Sequence, residues 1–116
     1  MLIRSQDKEI LVNMETSIVF HISDVIGKKY PIFVYWKGNG YVIGLYSTKA
    51  KAMKVLDMIQ EAYEEYKITC TFLTGFTGHR AIVESNDIQV NGFKELVKSF
   101  KKNMVFQMPE DSEVEA

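Results

Sequence analysis

The sequence predicts an α+β domain: an antiparallel sheet of about five strands, one long amphipathic helix packed on one face, and a less regular C-terminal layer. Three observations point there. Two β-rich runs flank Lys37-Gly38-Asn39-Gly40, the stretch Thr48–Tyr66 carries apolar residues at three-and-four spacing, and 116 residues leave room for one core. A rolled sheet closed by a helix, as in small barrels, is the alternative arrangement of the same elements.

In chain order, Leu2–Arg4 and Glu9–Met14 flank the polar Ser5-Gln6-Asp7-Lys8, a hairpin loop between two short strands. Ser17–Ser23 alternates, with Ile18, Phe20 and Ile22 on one face and Val19, His21 and Ser23 on the other. Asp24–Lys29 is a connection. Tyr30–Trp36 and Tyr41–Tyr46 form the central hairpin, turning at Gly38-Asn39 or Asn39-Gly40, where residues tolerant of positive φ are available. Either turn puts Ile32, Val34 and Trp36 on one face with Tyr41, Ile43 and Leu45. Phe33, Tyr35, Lys37, Val42, Gly44 and Tyr46 then share the other, and a three-residue turn would swap the pairing.

In the helix, Ala52, Val55, Leu56, Ile59, Tyr63 and Tyr66 make one stripe, and Ser47 or Thr48 caps the start. Its lysines come early and its glutamates late, against the helix dipole. Beyond it, Ile68–Leu73 reads as a strand, Thr74–His79 as a loop, and Arg80–Glu84 and Ile88–Val90 as short strands. Gly92–Lys102 reads as a second helix and Met104–Met108 as an edge strand.

The domain spans residues 1–108. From Pro109 onward Glu110, Asp111, Glu113 and Glu115 carry −4 with no base, and residues 109–116 read as an acidic disordered tail. Of the 15 acidic residues, 11 then remain against 14 basic ones, an excess too small to argue for nucleic acid by charge alone. Charged residues interrupt the first stretch, so no signal segment is expected, and no apolar run reaches the ~18–20 residues of a membrane span. A single cysteine, Cys70, fits a reducing compartment; a cytoplasmic location is the default.

Three stretches are similar to a family of small proteins from Gram-positive bacteria and their phages or mobile elements. They are Leu2-Ile3-Arg4-Ser5-Gln6-Asp7-Lys8 with Ile10-Leu11-Val12-Asn13; Gly44-Leu45-Tyr46-Ser47-Thr48 running into Ala52-Met53-Lys54-Val55-Leu56-Asp57-Met58-Ile59; and Val105-Phe106-Gln107-Met108-Pro109-Glu110-Asp111. The likeness covers roughly the first half and the last dozen residues and does not extend over Lys67–Asn103. It implies a biological setting and no activity.

Little in the residues supports catalysis, and no catalytic, cofactor or metal-binding set is assigned. His21 sits mid-strand, where a structural or surface role is the plainer reading. His79 with Arg80, in a Gly-containing loop, is the weak candidate for small-molecule chemistry, since loops present side chains to ligand. One cysteine and two dispersed histidines make no metal pattern, and neither glycine cluster has P-loop spacing. Cys70 on an apolar strand face reads as an inert buried thiol.

The hairpin carries the sharper expectation. Both of its faces are apolar, whereas a half-solvated antiparallel sheet alternates apolar with polar. The helix covers one face, and Phe33, Tyr35, Val42 and Tyr46 need another cover: residues 68–102, a second subunit or a partner. Each large aromatic buries ~150–250 Å², so three left bare exceed what monomers usually tolerate. These four residues are the candidate interaction face, and Gly44 is expected to lie beneath Phe33 or Tyr35. The expectation is a non-enzymatic, self-associating or partner-binding module, with single-stranded nucleic acid on an aromatic face near Lys28, Lys29 and Lys37 as the alternative.

Overall fold

A computed structural model of the chain describes residues 1–16, 18–72, 95, 98 and 101–115. The elements are β1 (Leu2–Arg4), β2 (Leu11–Asn13), β3 (Val19–Ile22), β4 (Tyr30–Trp36), β5 (Asn39–Tyr46), α1 (Lys49–Phe72) and β6 (Val105–Gln107), followed by a 3₁₀ turn at Asp111–Glu113. The α+β class and the long helix on a sheet are as predicted. The strands are divided between two three-stranded sheets, ordered β2-β1-β6 and β3-β4-β5. We call these sheets A and B. The strand expected at Met104–Met108 is an edge strand, and it pairs with β1 in parallel.

The central hairpin turns one residue earlier than Gly38-Asn39 and two earlier than Asn39-Gly40, the two turns the glycine pattern suggested. Trp36 pairs with Asn39, and Lys37 and Gly38 make the turn with φ of 49° and 83°. Two positive φ angles define a type I′ turn, whose twist matches the strands it joins. Lysine at the first of these positions is strained, because its Cβ crowds the backbone in the left-handed region. Lys37→Asn is therefore expected to raise stability by about 0.5–1 kcal/mol, read as a shift in the urea midpoint at unchanged slope.

A second departure changes which side chains face the core. The β4–β5 register slips between Ile32 and Phe33, so that Ile32 pairs with Gly44 but Phe33 pairs with Val42. The extra residue, Ile43, is a bulge, and a one-residue insertion reverses the facing of everything beyond it. Tyr46 consequently lies on the core face and is 0% exposed, and Leu45 lies on the outer face. The assignment of Gly44 and Tyr46 to the outer face is corrected by this bulge.

The core gathers Ile32, Val34, Ile43 and Tyr46 from sheet B, Met1 and Ile3 with sheet A, Ala52, Val55 and Ile59 from α1, and Met108 and Val114. Leu56, Tyr63 and Tyr66 pack against its margin, completing the helical stripe read from the sequence. Thr48 is the cap, its Oγ1 accepting the Lys51 N–H at 3.1 Å. The helix runs on through Phe72, which overturns the strand expected at Ile68–Leu73. Alternating Ile68, Cys70 and Phe72 suggested the strand, but no glycine or proline stops the helix before Gly75. Thr69 adapts by donating its hydroxyl to the Glu65 carbonyl at 2.9 Å, one turn back. Lys67 meets Glu15 at 3.3 Å, tying the second half of α1 to the β2–β3 connection. The strands expected at 80–84 and 88–90 lie outside the described residues, as does most of the helix expected at 92–102.

Candidate interaction surface

The ladder phase of β3 and β4 builds the outer face of sheet B. Val19 lies opposite Tyr35 and His21 opposite Phe33, and Phe33 in turn pairs with Val42. The helix occupies the other side, and Val19 is left 61% exposed, Tyr35 38%, Val42 36% and Leu45 38%. Phe33 is half-buried, with its ring stacked on Tyr35 at 5.8 Å and 22°. His21 tilts toward Tyr35 at 6.4 Å. The glycine beneath an aromatic ring is Gly40 rather than Gly44: a Cβ there would stand 2.8 Å from Tyr35 Cε1. Tyr35 thus reaches over bare backbone, covering what glycine leaves open.

Of the four residues predicted for this face, Phe33, Tyr35 and Val42 are brought together and Tyr46 is not. Val19 and Leu45 belong to it as well. Val19 could have been found from its alternation with His21; Leu45 was hidden by the bulge. The lysines do not cluster, since Lys28 and Lys29 lie in the β3–β4 turn and Lys37 at the opposite end of β4. Lys37 Nζ sits 4.8 Å from the centre of the Trp36 ring. His79 and Arg80 lie outside the described residues. Cys70, expected on a strand, is on α1. No group of three or more His, Cys, Asp or Glu among the described residues is placed to hold a metal, and no helix among them is long and apolar enough to cross a membrane.

An apolar groove of about 300 Å³ opens where β2 diverges from the tip of the central hairpin, between Leu11, Val12, Ile18, Val34, Trp36 and Tyr41. Two polar residues at the groove, Asn13 and Thr16, bond locally: Asn13 Oδ1 accepts the Glu15 N–H at 2.9 Å and Thr16 donates to the Asn13 carbonyl at 2.8 Å.

The polar residues converge elsewhere, at a junction of the three stretches quoted above. Gln6 donates its backbone N–H to the Ile43 carbonyl at 2.8 Å. Its side-chain oxygen accepts the Leu45 N–H at 2.8 Å, and Nε2 donates to the carbonyls of Leu45 at 3.3 Å and Pro109 at 3.2 Å. One side-chain amide thereby stands in for a neighbouring strand beside the bulge. Gln107 Nε2 donates to the Ser5 carbonyl at 3.0 Å, and the Tyr46 hydroxyl donates to the Pro109 carbonyl at 2.8 Å. Ser5, buried, donates to Asp7 and accepts the Ile10 N–H at 3.0 Å. These donors and acceptors satisfy one another, which describes a structural joint rather than a reactive site.

That joint corrects the disordered tail. Pro109–Val114 docks across β5 and the start of α1, and Val114 is only 4% exposed. Asp111 Oδ1 accepts the Ser47 N–H at 2.7 Å, and Lys51 Nζ reaches Asp111 Oδ2 at 3.5 Å and its carbonyl at 3.0 Å. The first turn of α1 has no acid of its own. The segment read as free because of its charge supplies the anion that the positive helix end and its lysines attract.

Hydrogen bonding from Ser47, and then Lys51, holds the Asp111 carboxyl below its ordinary range. Ser5 and the Glu9 N–H do the same for Asp7, and Lys67 does so for Glu15. Burial, followed by the charges of Glu110, Asp111 and Glu113, pushes the Tyr46 hydroxyl well up, so it stays a donor. Depressed carboxyls stabilise the fold above their unfolded values of ~4 and lose that contribution as pH falls through the folded ones. Thermal midpoints are expected to drop below about pH 4, and Asp111→Asn, lower at neutral pH, should drop less steeply. Parallel profiles for the two proteins would contradict this.

Comparison of the chain with family models, curated proteins and solved structures finds no match.

Proposed function

We propose that the protein is a non-enzymatic interaction module that self-associates, with the outer face of sheet B covered by a second copy. The observation that supports this most is the exposed row of Val19, Tyr35, Val42 and Leu45 opposite the helix-covered face. The strand residues of that face include no lysine, arginine, aspartate or glutamate, so two copies laid face to face oppose no like charges. Three strands spaced ~4.8 Å, at ~3.3 Å per residue, give a footprint that buries roughly 1,000 Å² over both copies. Contacts of that size belong with weak, transient pairs, so association is expected to show only as concentration rises. The resemblance of the three stretches supports a setting in Gram-positive bacteria and their phages or mobile elements.

Tyr35→Lys places a charge at the middle of the face on a side chain the core does not need. Light scattering from low to high micromolar concentration is expected to show wild-type mass rising and the Tyr35→Lys mass rising less. Equal masses for both would remove the reading.

The stacked Phe33–Tyr35 pair favours a second reading, a platform for single-stranded nucleic-acid bases with Lys28, Lys29 and Lys37 contacting phosphates at its two ends. Changing the three lysines to Glu separates the two: it abolishes salt-dependent oligonucleotide binding under the second reading and leaves self-association in place under the first.

A further inference from the structure

Sheet B has two edges, and the chain treats them differently. Ser23 donates its N–H to the Pro31 carbonyl at 3.0 Å, and continuing the β3–β4 register places these residues directly opposite. In an antiparallel ladder, bonded and non-bonded pairs alternate. Val19 and His21 therefore direct their backbone groups to β4, and Phe20 and Ile22 turn theirs outward. The same alternation across β4 turns Leu45 outward on β5, and there Gln6 closes the edge, accepting at 2.8 Å and donating at 3.3 Å. Among the described residues no hydrogen bond reaches the outer edge of β3. Val19-Phe20-His21-Ile22 also lacks the usual deterrents of a free edge, having no proline, no lysine and no bulge against β4.

We propose that the outer edge of β3, unpaired among the described residues, receives the β3 of a second copy, antiparallel, about a twofold axis at His21. That register sets Phe20 opposite the partner's Ile22 and Ile22 opposite the partner's Phe20, exchanging about four backbone hydrogen bonds. Sheet B becomes one six-stranded sheet through the pair. A second copy suits this edge for two reasons. Identical strands in antiparallel array present the same outward pattern to each other, as a twofold contact requires. Ile18 and Val19–Ser23 contain no lysine, arginine, aspartate or glutamate, so no like charges meet across the axis. Two strands of four residues bury little area, which makes this a weak contact by itself. The inference rests on the reading that the chain self-associates, but uses the backbone edge where that reading uses the outer face. With both contacts formed, two twofold interfaces join more than two chains, and close at four where their axes cross at right angles.

The test uses the full-length Leu45→Lys chain, which blocks the outer face two strands away from the β3 edge. Light scattering is combined with amide hydrogen exchange at Phe20 and Ile22 as concentration rises. The expected result is a Leu45→Lys dimer in which these two amides slow with concentration while the Lys28 amide does not. His21→Lys and His21→Glu, each introduced into that chain, should both lose the dimer, and an equal mixture should regain it. A Leu45→Lys monomer beside an associating wild type overturns the edge contact and leaves the outer-face reading standing. A dimer with unprotected Phe20 and Ile22 amides, or a mixture that does not reassociate, also overturns it. A wild-type chain that stays monomeric throughout removes both.

Discussion

Ending the chain after Met108 is expected to lower stability by about 3–5 kcal/mol, a shift of roughly 4 °C in thermal midpoint for each kcal/mol. The loss has three separable sources. Val114 leaves the core, and full burial of a valine contributes ~1.5–3 kcal/mol. The Tyr46 hydroxyl loses the Pro109 carbonyl that accepts it at 2.8 Å, and a buried donor left unpaired costs about 1–3 kcal/mol. Gln6 Nε2 loses the same acceptor but keeps Leu45, so it adds little. Removing Asp111 also strips the anion from the start of α1. Urea denaturation of the shortened and intact chains measures the sum. An unchanged midpoint would mean that residues 109–116 are the solvated tail their composition suggests.

The second large effect is expected at Gly44. A Cβ there would lie 2.9 Å from Tyr46 Cε2 and 3.0 Å from Met108 Cε. Both side chains are buried, and the Tyr46 ring is fixed at its far end by the Pro109 carbonyl, so neither has room to yield. Overpacking of this kind costs about 1–3 kcal/mol. Gly40 supplies the control. Its Cβ would stand still closer to Tyr35, at 2.8 Å, but that ring is half in solvent and swings aside. Gly44→Ala should therefore lower the urea midpoint clearly, and Gly40→Ala should move it by less than about 1 kcal/mol equivalent. Equal effects would show that the bulge does not set the facing of Tyr46.

Much of the scaffold was legible because periodicity reports burial directly. The α1 stripe from Ala52 to Tyr66, the Thr48 cap, the alternation of β3 and the Ser5–Lys8 loop all follow from local spacing. What was hidden arises from contacts distant in sequence. The Ile43 bulge is stabilised by Gln6, some forty positions earlier, and nothing in Tyr41–Tyr46 announces an extra residue there. That single slip moved Tyr46 into the core, brought Leu45 out, and replaced Gly44 with Gly40 as the glycine beneath an aromatic ring. The acidic segment was misread because charge without a local base suggests solvation; its partners, Ser47 and Lys51, lie some sixty residues away. The continuation of α1 past Tyr66 was concealed by β-branched residues that alternate as a strand would, although Thr69 can bond back along a helix. Phe33, Tyr35 and Val42 share one side of the sheet, as their spacing suggests, because β4 keeps simple alternation and Val42 lies on the hairpin side of the bulge.

Covalent footprinting of the intact chain at rising concentration measures most directly which surface a second copy covers. Labelling of Tyr35 and Val42 is expected to fall as concentration rises, while Met53 and Ile68, exposed on α1, keep constant reactivity. Unchanged labelling of Tyr35 and Val42 over the full range would contradict a shielded outer face.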